Sequence, residues 1–199
     1  MKKPILLAAL IIQTVSWAQV STATLQQSLE AKKQLKNQSL FQKVTLENVG
    51  PTVMSGRVVD VAVNPENPTE FYVGYASGGL WYTNNNGMSF SAVMDTAPTQ
   101  NIGDIAVDWK TGTIWVGTGE VNSSRSSYAG IGILKSEDKG KTWQNMGLQD
   151  SHHISRILLN PTNPNEIVVG VVGHLYSKNE ERGVYRTIDG GKSWNKTLF

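Results

Sequence analysis

The chain has 199 residues, enough for one or two domains with a sizeable core. It carries 18 basic and 16 acidic residues and no cysteine, which excludes a thiol nucleophile, a thiolate metal site, a disulfide framework and a lipid anchor on cysteine. With Lys2 and Lys3 set aside in a leader, 16 basic residues face 16 acidic ones, so no electrostatic field draws the protein to nucleic acid or an anionic membrane.

Residues 1–18 read as a secretory signal peptide. A charged start at Lys2 and Lys3 precedes an apolar run from Ile5 to Ile12, and Ser16-Trp17-Ala18 offers a small-x-small cleavage site. The run is too short for a permanent anchor, and no later segment is apolar enough to span a bilayer after the signal is removed. The expectation is an exported bacterial protein, periplasmic or extracellular. Residues 19–45 form a leader. From Thr24 to about Leu40 there is no Gly or Pro, and Leu25 and Leu29 stand four apart, which predicts a short exposed helix.

After Gly50 the composition changes to short β-branched and aromatic runs broken by Gly, Asn and Pro, the pattern of an all-β domain. Three segments share one order: an apolar strand (VVDVAV, IGDIAV, ISRILL), a polar turn, a second strand (FYVGY, TIWVG, IVVGV), a loop, a third strand (GLWYT, GILKS, GVYRT) and a turn ending in an aromatic. Thr83, Ser136 and Thr187 occupy equivalent places about fifty residues apart. Four strands at that period predict a β-propeller of four-stranded antiparallel blades, at about 57–100, 101–152 and 153–199 within a domain over 46–199. Three blades leave a ring incomplete, since propellers have four to eight. The chain is therefore expected to be an N-terminal fragment whose partners include the remaining blades of a longer polypeptide.

The turn before the fourth strand repeats the pattern Ser/Thr-x-Asp-x-Gly-x-Ser/Thr-aromatic. It occurs as Ser136, Asp138, Gly140, Thr142 and Trp143, then as Thr187, Asp189, Gly191, Ser193 and Trp194. A weaker copy runs from Thr83 through Asn85 and Gly87 to Phe90. The Asp or Asn is expected to accept amides two or three residues ahead, Gly to supply positive φ, and the aromatic to pack between blades. One copy per blade argues for a structural fastener, because a propeller normally has one site.

This pattern resembles the Asp-box (BNR repeat) of sialidases, sortilins and other propellers. GPTVMSGRVVDVAVNPENP, YASGGLWYTNNNG and ERGVYRTIDGGKSW further resemble secreted bacterial proteins described as sortilin-like or as glycosyl-hydrolase Asp-box repeat proteins. The resemblance covers about residues 46–199 and implies a large propeller that binds a protein, peptide or glycan. The alternative it implies is a glycoside hydrolase or lyase whose site later blades complete. Two family tests count against catalysis. The early Arg-Ile-Pro motif of sialidases is absent, although Arg57 stands in the corresponding region. Xyloglucan-cleaving propellers place an aspartate where this chain has Ala76, and a glycosidase needs a carboxyl pair.

Strand order separates two ends of the fold. First turns and Asp-boxes share one end, and second loops and connections between blades share the other. There the stretch from Gly117 to Gly130 exceeds what a turn needs and carries Glu120, Asn122, Arg125 and Tyr128. His152, His153, His174, the run Glu180-Glu181-Arg182 and Arg57 are expected nearby. The residues singled out for ligand contact are Glu120, Asn122, Arg125, His153 and Arg57. Catalytic residues are not assigned. The adjacent histidines lack a third ligand at convincing spacing, so neither a metal nor a cofactor is expected.

Overall fold

A computed structural model describes residues 22–44, 56–124 and 127–199. The expected signal peptide and Arg125 lie outside the described residues. The chain divides into two compact units, Met1–Lys43 and Val44–Phe199.

In the first unit, α1 spans Thr22–Gln38, beginning two residues before the expected start. Leu25 and Leu29 are its half-buried pair, and the other described side chains are almost all exposed. Lys36 in the last turn faces the negative end of the helix dipole.

The second unit is three four-stranded antiparallel sheets, each a meander in chain order. The first contains β1 (Val58–Val63), β2 (Phe71–Tyr75), β3 (Gly79–Thr83) and β4 (Ser91–Ala92). The second contains β5 (Ile102–Asp108), β6 (Thr113–Thr118), β7 (Ile133–Ser136) and β8 (Gln144–Asn145). A short 3-10 turn at Gln149–Ser151 leads into β9 (Ile154–Asn160), β10 (Asn163–Val171), β11 (Gly183–Thr187) and β12 (Asn195–Leu198).

Alternation along each strand sends neighbouring side chains to opposite faces, and both faces of the middle sheet are covered. Leu80 and Met94 pack with Ile102, Ile105 and Val116 between the first and second sheets. Trp115 and Ile133 pack with Ile154, Ile157 and Val169 between the second and third. The first strands also clamp sheet to sheet through carboxylates. Asp60 Oδ2 accepts the Ile105 amide at 3.2 Å, and Asp104 Oδ2 accepts the Ile157 amide at 2.6 Å. Asp104 is buried, which pushes its carboxyl up to about 6, and Arg156 Nη1 stands 3.3 Å from its other oxygen.

The turns between third and fourth strands close by one device. Ser136 Oγ accepts the Gly140 amide at 2.8 Å and donates to Asp138 Oδ1 at 2.8 Å. Asp138 accepts the Thr142 amide at 2.8 Å and the Thr142 hydroxyl at 2.6 Å. The aspartate thus takes the Lys141 amide three residues ahead, as expected, and reaches on to Thr142, while the hydroxyl at the start of the turn takes the Gly140 amide. Thr187 and Asp189 repeat this with Gly191 and Ser193, and Thr83 and Asn85 with Gly87 and Ser89. Each turn needs two successive left-handed residues: Asn86 and Gly87, Lys139 and Gly140, Gly190 and Gly191. The indole of Trp143 donates to Val93 O at 3.3 Å, and that of Trp194 to Met146 O at 2.7 Å, both in the preceding sheet. Phe90 has no such donor and meets Phe71 edge-on, with ring centroids 6.0 Å apart.

Candidate functional site

The loop after β6 is held at its base before it holds anything else. Thr118 Oγ1 donates to Gly132 O at 2.6 Å and accepts the Ile131 amide at 2.7 Å. Gly119, in the left-handed region at φ 88°, lies so close to His152 O that a β-carbon there would collide with it. The Gly130 amide donates to the same carbonyl at 2.6 Å. Gly119 and Gly130, at the two ends of the loop, are thus pinned against the entry to the third sheet.

Glu120 sits inside the loop with 1% of its side chain exposed, against 43% for its partner Arg57. Arg57 Nη2 approaches Glu120 Oε2 at 2.9 Å, the Ser127 hydroxyl donates to that oxygen, and the Asn122 amide donates to Oε1 at 3.2 Å. His153, also buried, places Nδ1 2.8 Å from Glu120 O. Glu120 and His153 therefore face inward and tie three sheets together. Asn122 is exposed, as is the Tyr128 ring at 55%.

The third sheet contributes the loop between β10 and β11. Tyr176 is 76% exposed, and its hydroxyl donates to Ser124 O at 3.1 Å, so its ring is anchored beside the second-sheet loop. This tyrosine was missed in the sequence because no repeat marks it, although its loop, between Val171 and Gly183, is far longer than the one between Tyr75 and Gly79. Asn179 organises the same loop, donating to His174 O at 3.0 Å and accepting the Arg182 amide at 3.0 Å. His174 stacks on His152, with ring centroids 3.8 Å apart, and its Nε2 is 3.8 Å from Glu181 Oε2. Burial holds His152 below the ordinary imidazole value of 6.5, with His174 adding to the effect. Burial lowers His153 too, opposed by Glu120. Glu180 and Arg182 are exposed.

Ala76 is buried, and its amide and carbonyl bond to Arg57 O and to the Ile102 amide, at 2.8 and 3.2 Å. Among the described residues, no group of three or more His, Asp or Glu is arranged to hold a metal ion, and no helix is long and apolar enough to cross a membrane. The turn-bearing end, expected to hold only regular turns, carries a groove of about 650 Å³ bordered by Pro65, Trp109, Trp115, Lys135, Leu159 and Pro161. Its walls come from first turns of all three sheets, so only their assembly creates it.

These sheets define the class: an all-β chain with the fold of a β-propeller, three four-stranded blades of an incomplete ring preceded by a short helix. No family model matches the chain, and no curated protein matches it. Among solved structures, an ancestral GH74 enzyme superimposes with a TM-score of 0.55 at 23% identity, over 73% of this chain and 19% of its own. YCF48 from Cyanidioschyzon merolae gives 0.48 at 16% identity, over 75% of this chain and 39% of its own. PorZ, a surface component of the type-IX secretion system of Porphyromonas gingivalis, gives 0.47 at 21%, over 65% of this chain and 17% of its own. The chain thus spans about a fifth of the length of the GH74 enzyme it matches.

Proposed function

We propose that the chain is part of an exported, sortilin-like Asp-box propeller that binds a protein, peptide or glycan on its loop-rich end. The supporting observation is convergence: Arg57 from before the first sheet and the Asn122 amide from the second-sheet loop meet at one buried carboxylate, and Tyr176 from the third sheet is tied to Ser124 of that same loop, which also exposes Tyr128. Anchored tyrosine rings with polar neighbours offer both apolar area and hydrogen bonds at low ordering cost. The divisions into a signal at 1–18, a leader at 19–45 and blades at 57–100, 101–152 and 153–199 belong to this reading, as do the remaining blades. The hydrolase alternative requires Glu120 to transfer a proton. Its two oxygens are instead engaged by Arg57, Ser127 and the Asn122 amide, which suits a structural tie.

Calorimetric titration with arrays of soluble oligosaccharides and peptides tests the reading. Saturable binding is expected, weakened about tenfold or more by Tyr128→Ala or Tyr176→Ala, the range for a well-placed aromatic contact. Binding indifferent to both substitutions overturns the assigned face. Polysaccharide cleavage abolished by Glu120→Gln overturns the non-catalytic reading.

A further inference from the structure

The chain contains three histidines, and all three meet where the second sheet passes into the third. We infer that His152, His174 and His153 form an acid-sensitive latch that holds the base of the 119–130 loop, and so regulates the ligand face proposed above. Its regulatory meaning rests on that reading; the latch itself does not.

One residue joins the rings to the loop. The His152 ring stacks on His174 at 3.8 Å and 43° between planes, while its carbonyl accepts the Gly130 amide at 2.6 Å. The same residue is held at φ 52°, a left-handed conformation that costs energy outside glycine. The ring contact and the carbonyl that pins the loop thus belong to one residue, and loss of the ring contact removes a restraint on the backbone that carries that carbonyl. His153 stands 6.4 Å from His152 and bonds to Glu120 O, so the third ring holds the loop from inside.

The charged groups around this cluster come from each neighbouring segment. His174 and Glu181 face it from the loop between β10 and β11, Asp150 from the 3-10 turn, and Glu120, carrying Arg57, from the second-sheet loop. Glu181 Oε2 is buried and accepts no hydrogen bond from any described residue, and His174 Nε2 lies 3.8 Å from it. A charge on the His152 ring would be both buried and set against the His174 ring at 3.8 Å, with Asp150 and Glu181 only partly offsetting that cost. Burial disfavours the cations of His152 and His153, so the closed form binds fewer protons than the open one. The closed form then holds its full stability above the ordinary 6.5 and loses it as pH falls below that value.

The test is hydrogen exchange on the full chain, with imidazole carbon–proton resonances followed from pH 8 to 5 and no ligand present. After correction for intrinsic exchange, protection of the Gly130 amide is expected to fall about tenfold more than that of the buried Ile133 amide between pH 7.5 and 5.5. The fall should track the titration of His152. His174→Gln removes the ring packed on His152 and should reduce the fall to under about threefold. If that chain does not fold, His152→Gln makes the same test. Parallel protection of Gly130 and Ile133, or a variant that opens like the wild type, overturns the latch. Loop opening with a ligand affinity unchanged by pH overturns its regulatory role alone. Failure of the ligand assay leaves the exchange result standing, so the two readings fail separately.

Discussion

Asp138 stands among a serine, two lysines and a tryptophan, yet its surroundings describe a closed turn. Its carboxylate accepts two bonds from Thr142 and one from Ser136, and the Thr142 hydroxyl is the main cause that holds it down at about 2. The folded value lies below the ordinary 3.8, so the carboxylate stabilises the fold above that pH and the contribution fades as pH falls from 3.8 towards 2. Asp138→Ala is expected to lower the melting temperature at pH 7 by a few degrees. Its effect should shrink at pH 2, and ligand affinity of the folded fraction should stay unchanged. Differential scanning calorimetry at both pH values checks this, and an equal loss at pH 2 counts against it. The role was legible because the pattern recurs at equal spacing. The further bonds to Thr142 were not, since sequence spacing does not say which acceptor takes which amide.

At the scale of the element, the loop after β6 shows how length and purpose diverge. Its length marked it as more than a turn, and its residue types suggested groups presented to a ligand. The structure turns Glu120 inward and leaves the exposed area to tyrosines on two loops. A buried carboxylate requires partners, and Arg57 arrives from just before β1, sixty-three positions earlier, a contact that no local pattern reveals. Gly119→Ala should collide with the His152 carbonyl and force a side chain into the left-handed region. The expected cost is about 2 kcal/mol, measured by chemical denaturation. Undiminished stability would show that the loop base has room to relax.

For the whole molecule, each inner sheet face is buried by the next sheet, and the series stops at the third. The Asp60 and Asp104 clamps have no third member, because Arg156 takes the equivalent place and turns back to Asp104. Leu158, equivalent to the partly buried Ala62 and Ala106, stays more than half exposed on β9. Leu158→Lys is therefore expected to raise the concentration at which the isolated chain stays soluble, with an unchanged circular dichroism spectrum. Light scattering across a concentration series reads this, and unaltered association would show that Leu158 does not contribute to it.

The sequence by itself determined the four-strand repeat, the fastening turns and the end on which long connections gather. Those features arise from periodicity and local turn chemistry, which operate within a dozen residues. Only the tertiary structure decided that Glu120 turns inward onto Arg57, that the three histidines meet, that Tyr176 joins the exposed face and that a groove opens among the regular turns. Each of these depends on side chains from different sheets packing at contact distance, and burial reverses the direction in which an ionisable group can act.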